Sequence, residues 1–499
     1  MIDVKGPGLS KSRFVAGWQC PKLLWWKVHE PDAEELRPDV VLEDLFDQGN
    51  LVGARAREEW PGGVFIDGDH HDATRIPRTR SAINAGAQVL FDACFEQAGV
   101  FCAVDVLERH GDEWTLIEVK SSSEVKEYHI PDVAVQVHVC RAAGLHVTRA
   151  EVMHLSKEYR LLGGAPLFVR ADVTHDVEGV MHEVPTRIAE QLAALAGPLP
   201  VHPTGEHCWL HGECAFFGRC WPNDSDHIRH LVGVGPKTAM KWMSKGVHTI
   251  SAIPRAEKLN EKQQRQIRAQ QGSALVVERG LADAMRPALD AKRLGFLDFE
   301  TIARALPAWP ALGPWHQAAA QFSYHERTGE GVVTHAEFLA EGPTDPSLPP
   351  DDPREAIARA MIAATANADV IVMYTSFEKT QIKALANYLP HLATDLEALS
   401  AKLWDLHPAV ANNVYHPAFR GSFSLKSILN PLVPDLSYRD LVIVDGKVAS
   451  VKIARLLFVS GRIPLRERER TRRDLLAYCE RDTFATVRLV ERLGELTRR

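Results

Sequence analysis

Residues 100–122 read VFCAVDVLERHGDEWTLIEVKSS: two apolar runs either side of His110-Gly111-Asp112, the pattern of two β-strands joined by a tight turn. Side chains alternate along a strand, so Glu118 and Lys120 share a face, and Asp105 on the preceding strand is expected opposite them. A lone Glu-x-Lys is usually an exposed cross-strand ion pair. Here the flanking TLIEVK and FCAVDVL put the charges in an otherwise buried sheet, where an ionised group is costly unless it is used. Two carboxylates converging beside a lysine can hold Mg²⁺ or Mn²⁺. The metal lowers the pKa of a bound water, and the lysine orients that water or offsets phosphate charge. This is equipment for phosphodiester hydrolysis.

Around this hairpin lie 499 residues, too many for one hydrophobic core, so two to four domains are expected. The composition is ordinary for a globular chain, and no apolar run reaches the ~20 residues of a membrane-spanning helix. The opening MIDVKGPGLSKSRF lacks the apolar core of a secretory leader, so the expectation is a soluble, cytoplasmic protein. Lys and Arg number 58 against 65 Asp and Glu, a net charge of −7. Bulk electrostatics therefore does not draw the chain onto a polyanion, and a nucleic-acid site has to be a local basic surface or use metal ions. The patterning divides the chain into residues 1–225, a helical connector at 226–285, and residues 286–499. In the last region a row of strand candidates gives way to alternating helices, implying a mixed sheet with helices packed on it.

The residues of the hairpin resemble the metal motif of the RecB-like, PD-(D/E)XK-type nucleases, which include the iron-sulfur nucleases of CRISPR adaptation and recombination repair. The resemblance implies metal ligation by Asp105 and Glu118, a catalytic Lys120, and a restriction-endonuclease-like fold for the first domain. It carries the family glutamine onto Gln136 in DVAVQVHVC, with Cys140 where the family often has tyrosine. An early family histidine corresponds to Asn50 in FDQGNLVGARA, and Asp92 in LFDACF is a candidate additional acid.

Cysteine placement is uneven. Cys20 lies alone, while Cys208, Cys214 and Cys220 recur at even spacing, against a scattered background of Cys94, Cys102, Cys140 and Cys479. Four thiolates suit either structural zinc or an iron-sulfur cluster, and zinc ligands usually come in tight C-x2-4-C pairs. One early and three late cysteines among CPKLLWW and CWLHGECAFFGRCW resemble the cluster that staples the ends of the iron-sulfur RecB-like nucleases. The reading therefore favours a 4Fe-4S cluster, with Zn²⁺ as the alternative and a structural role in either case. His207 and His211 read as bystanders.

In the connector, Leu231 to Lys237 (LVGVGPK) resembles the hairpin of helix-hairpin-helix modules, where Gly233, Gly235 and Lys237 would contact phosphates without reading sequence; plain packing is the competing reading. In GFLDFET, Asp298 and Glu300 share one face of an apolar strand; in YCERD, Tyr478 and Asp482 lie one turn apart on a helix. An acidic pair on a first strand with an acid and a tyrosine on a late helix resembles the DnaQ-like exonucleases of the RNase H-like fold, in the subgroup with tyrosine at the last motif (DEDDy). That resemblance maps a further acid onto Glu378, where Asp is usual, puts Thr375 where Asn is usual, and makes Asp405 a candidate auxiliary acid. Two clamped metal ions need about three or four carboxylates, and Tyr478 would orient the attacking water. The run RIPLRERERTRR at 462–473 is equally a phosphate guide and a solvated helix face.

Across nearly its whole length the chain resembles a bacterial family, classed as a domain of unknown function, that fuses the iron-sulfur RecB-like nuclease to the DnaQ-like exonuclease. The expectation is an α/β multidomain, two-site nuclease acting on DNA more than RNA, with 3′ to 5′ trimming by the second domain. The competing reading, motivated by Asn50, Cys140, Thr375 and Glu378, is a nucleic-acid-binding scaffold with one or both sites decayed.

Overall fold

The computed structural model describes residues 8–69, 72, 74–210, 212–254, 257–345 and 347–498. His211 and the first seven residues, on which the leader expectation partly rests, lie outside the described residues. No helix among the described residues is long and apolar enough to cross a membrane. The architecture is mixed α/β in two compact units. One runs to Trp221 and includes Arg304–His316; the other comprises Pro222–Ala303 and the chain from Gln317 onward. Residues 226–285, expected as a separate connector, group with the second unit.

In the first unit the strands Val64–Phe65, Val89–Gln97, Val100–His110, Glu113–Lys120, His146–Leu155 and Phe168–Asp172 lie side by side in chain order, and Leu9–Ser10 pairs with the start of Val100–His110. The quoted hairpin forms with Val106 opposite Ile117 and His110 opposite Glu113, its turn made by Gly111 at φ +68. One face of the sheet carries Trp114 and Leu116 into a core with Val133, Val137 and Val139 of the helix His129–Ala142. The other face carries Ile117 against Val52 and Ala56 of the helix Val40–Arg57.

Strand Val100–His110 changes parity along its length. Val100, Cys102 and Val104 join the first core, Val106 the second, and Leu107 the first again. The change falls at Asp105, opposite Asp92, whose backbone is left-handed at φ 53. This local reversal of the pleat turns Asp105 to the face that Glu118 shares with Trp114 and Leu116. The excursion Arg304–His316 is tied to its unit through Arg304 to Asp44 at 2.8 Å, Ala305 N–H to Gln48 Oε1 at 3.1 Å and Trp315 Nε1 to the Ser121 carbonyl at 2.6 Å. The last of these holds the residue next to Lys120.

In the second unit the sheet order is Val333–Leu339, Gln317–Thr328, Arg293–Ala303, Val370–Met373, Leu403–Asp405. The first three strands are antiparallel, and the last two join in parallel. Along Arg293–Ala303, Leu297 and Phe299 face one core, with Ile357 and Met361 of the helix Arg354–Thr365. Leu294 and Phe296 face the other, with Val487, Val490 and Leu493 of the 32-residue helix Leu465–Leu496. Asp298 and Glu300 continue the Leu294–Phe296 face and so point towards that long helix.

The glycine turn at Gly233 and Gly235 is flanked differently from a hairpin between two α-helices. A single 3-10 turn, Ile228–His230, precedes it, and the helices Pro236–Ser244 and Glu261–Gly272 follow. The preceding segment spends its acids on turns instead: Asp224 accepts from Asp226 N–H and Asp226 from Ser251 N–H, competing with helical bonding.

Candidate active sites

In the first unit Glu118 is 2% exposed, yet it keeps its charge. Its Oε1 accepts from Lys120 Nζ at 2.7 Å, both oxygens accept from Lys11 Nζ at 3.0 and 3.1 Å, and Oε2 accepts from Gln136 Nε2 at 2.8 Å. Burial alone would raise the carboxyl; Lys11 and Lys120 outweigh it and hold Glu118 well below the usual carboxylate range. Asp105 takes one backbone bond, from Val119 N–H to Oδ2 at 2.8 Å, and lies 3.9 Å from Lys11 Nζ. Burial first, and the charge of Glu118 second, push Asp105 up to about 7. The pair thus divides into a permanently ionised carboxylate and one that titrates near neutrality. Lys120 also donates to Asp132 Oδ2 at 2.7 Å, and both lysines stay charged because the surrounding acids outweigh burial.

The structure therefore brings Asp105, Glu118, Lys120 and Gln136 together and adds Lys11 and Asp132, which the sequence reading missed. Asp132 falls within DVAVQVHVC, four residues before Gln136 and one helical turn from it, a spacing that is visible in the sequence. Lys11 comes from the first helix, Lys11–Gln19, and carries no local signal. Asn50 is exposed on Val40–Arg57, Cys140 is fully buried in the core, and Asp92 lies 3.9 Å from Arg57.

Cys20, Cys208, Cys214 and Cys220 line one small cavity, together with His202, His207, Trp26, Phe216 and Phe217. The Cys20 sulfur and one ring nitrogen each of His202 and His207 lie within 4.8 Å of one another. His207 thus stands in the group rather than beside it, and His202 is an addition. The donor set, four thiols and two imidazoles in an aromatic shell, fits a thiophilic metal or cluster.

In the second unit the carboxylates of Asp298, Glu300 and Asp482 converge, one oxygen from each lying within 4.8 Å of the others. At that distance each pair of like charges repels by roughly 3–4 kcal/mol at an effective dielectric of about 20. Burial, then Asp482, pushes Asp298 and Glu300 well above the usual carboxylate range, and burial raises Asp482 as well. Lys426 is the cation that opposes this for all three. Its Nζ donates to Tyr478 Oη at 2.9 Å, while Tyr438 Oη donates to Asp482 Oδ1. Burial and then Asp482 raise Tyr478, so it stays a neutral phenol. Glu378 is 2% exposed, and its Oε2 is buried with no hydrogen-bond partner; burial pushes it up to about 8. An orphaned carboxylate oxygen beside three crowded acids is what a set of cation ligands looks like without its cations.

Asp405 and part of the 462–473 run have partners within the chain. Asp405 Oδ1 accepts from Thr375 N–H at 3.0 Å and from His407 N–H at 2.9 Å, which holds Thr375 in a left-handed conformation at φ 80. In the 462–473 run, Arg468 and Arg472 pair with Glu341, and Arg470 lies 3.9 Å from Asp474. Missed by sequence reading were Lys426, Tyr438 and Asp445, whose charge bears on both Glu300 and Asp482. Gly233 at φ +71, Gly235 and Lys237 are all exposed, and space is open around both glycines.

Fold and sites define a mixed α/β chain with a carboxylate site in each unit. Residues 295–424 match the family described as a domain of unknown function (DUF2779). The matched stretch takes in Asp298, Glu300, Glu378 and Asp405 and ends before Lys426. No curated protein matches the chain. Solved structures with some likeness include SSO0001, at 11% identity and TM-score 0.24 over 43% of this chain and 87% of that one. Another is an alkaline exonuclease, LHK-Exo from Laribacter hongkongensis, at 12% identity and TM-score 0.22 over 38% of this chain and 89% of that one.

Proposed function

We propose that the chain is a metal-dependent nuclease hydrolysing phosphodiester bonds, DNA in preference to RNA, with a site in each unit and 3′ to 5′ exonuclease action in the second. The observation that carries this reading is the convergence of Asp298, Glu300 and Asp482 within 4.8 Å near Lys426, with the buried Glu378, one of whose oxygens has no hydrogen-bond partner, acting on the same acids. The strand order of the second unit, three antiparallel strands and two parallel ones, supports an RNase H-like domain. The hairpin acids with Lys120 and Gln136 support a PD-(D/E)XK domain in the first.

In the second unit Asp298, Glu300, Asp482 and Glu378 would hold Mg²⁺ or Mn²⁺. Bound there, the metal supplies an acidified water and neutralises the phosphate. Tyr478, a neutral phenol 2.9 Å from Lys426 Nζ, is suited to orient the attacking water, and Lys426 to balance phosphate charge. In the first unit Asp105 and Glu118 would be the ligands, with Lys120 as the orienting cation. The four cysteines would hold a 4Fe-4S cluster, or Zn²⁺, that closes the unit on itself.

The test is cleavage of end-labelled single- and double-stranded DNA and RNA with Mg²⁺, Mn²⁺ or chelator. Asp298→Ala is expected to abolish terminal trimming and Lys120→Ala the cleavage by the first unit. No cut with either metal on any polymer ends the nuclease reading and leaves the binding scaffold.

A further inference from the structure

A second group of ligand-type side chains lies in the second unit, adjoining the acid site through Ser323, which is paired with Asp298 across the sheet, and unused by the proposed chemistry. His325 on Gln317–Thr328 and His335 on Val333–Leu339 are directly opposed across the antiparallel pair, with ring centroids 4.5 Å apart. Glu480, exposed on the helix Leu465–Leu496, completes the group. One nitrogen from each ring and one Glu480 oxygen lie within 4.8 Å of one another.

A buried hydroxyl relay backs the two rings. Thr483 Oγ1 lies 2.8 Å from His325 Nδ1 and 2.7 Å from Ser323 Oγ, and Ser323 Oγ lies 2.9 Å from His335 Nε2. Thr483 Oγ1 donates to the Glu480 carbonyl at 3.0 Å. One assignment that satisfies every partner commits that proton to the carbonyl, so that Thr483 accepts from Ser323 and from His325 Nδ1–H, and Ser323 accepts from His335 Nε2–H. In that assignment His325 Nε2 and His335 Nδ1 keep their lone pairs for a ligand. A second ring nitrogen donating to a fixed hydroxyl or carboxylate is the usual support of a metal-binding histidine.

We propose that His325, His335 and Glu480 form a binding site for a borderline divalent transition metal, Zn²⁺ being the natural occupant. Two imidazoles and a carboxylate are the donor set of zinc, whereas Mg²⁺ and Ca²⁺ favour oxygen alone. Tetrahedral zinc with bonds near 2.0–2.2 Å needs ligand atoms ~3.3 Å apart, so separations of up to 4.8 Å close by up to about 1.5 Å on binding. His335 and Glu480 are exposed, so Glu480 can swing towards an ion and His335 can adjust about its Ser323 bond. Three protein ligands leave a position for water. The metal clips the sheet's edge strand to the helix that carries Tyr478 and Asp482, with Glu480 midway between those two residues. The inference does not depend on the nuclease reading.

The experiment is zinc titration of the metal-free full chain against a chromophoric chelator, comparing wild type with His335→Ala and with Glu480→Gln. Both changes are at exposed positions. The expected result is one fewer tight zinc per chain in His335→Ala and weakened binding at one site in Glu480→Gln. Zinc alone should also raise the melting temperature of wild type more than that of either variant. Equal stoichiometry, affinity and melting shift in all three proteins would overturn the site.

Discussion

Glu378 shows how much one residue can report. Its folded-state value of about 8 lies above the ordinary carboxylate value, so between roughly pH 4 and pH 8 the folded chain holds a proton that the unfolded chain releases. Stability from this group is present at low pH and is lost as pH rises through that window. In chelator, Glu378→Gln is expected to flatten the decline in urea stability between pH 5 and pH 8 by about 3–4 kcal/mol; parallel curves for the two proteins would refute the assignment. Lys11 makes the opposite case. Its ammonium bridges Glu118 and Asp105, where the proposed dication would bind, and so would compete with it. Lys11→Ala in an Asp298→Ala background should raise Mn²⁺ affinity in the first unit by about tenfold or more, read by electron paramagnetic resonance titration; unchanged affinity would show that the lysine does not compete. The shared faces of Glu118 with Lys120 and of Asp298 with Glu300 were legible because strand parity within one strand is visible locally. Lys11 was not, since it reaches Glu118 from 107 positions away.

At the scale of elements, alternation along Arg293–Ala303 was enough to place Asp298 and Glu300 on the face opposite Leu297 and Phe299. The one-turn spacing of Tyr478 and Asp482 likewise survives in the long helix. The reversal of pleat at Asp105 was not legible, because it depends on the left-handed Asp92 of the neighbouring strand. Nor was the short 3-10 turn before Gly233. Two loop positions make the backbone argument testable. Thr375, a β-branched residue at φ 80, is strained there, and Thr375→Gly should stabilise the chain by about 1 kcal/mol while keeping the Asp405 bond. Gly421, at φ +76 with the His230 carbonyl oxygen where a Cβ would sit, has no such room. Gly421→Ala should cost roughly 3 kcal/mol or more in chemical denaturation. A neutral result at either position would mean that the loop relaxes.

At the scale of the molecule, the first unit is closed by its ends. Gln19 Nε2 donates to the His207 carbonyl and Trp25 Nε1 to that of Gly197, alongside the four-cysteine cavity. If a metal or cluster ties Cys20 to the late cysteines, it closes a loop of almost two hundred residues, and its loss should destabilise the unit by about 3–5 kcal/mol. Cys20→Ser, unfolded anaerobically and followed by tryptophan fluorescence, measures this. A denaturation curve equal to that of wild type, with metal content unchanged, would remove the staple. The linear order of residues by itself determined which side chains share a face and which carry ligand chemistry, because period and donor type are local properties. Only the folded chain decided that Arg304–His316 belongs with the first unit, that Lys11 neutralises Glu118, and that Asp298, Glu300 and Asp482 crowd one another. Charge compensation and like-charge repulsion act over a few ångströms of space, whatever the number of residues between.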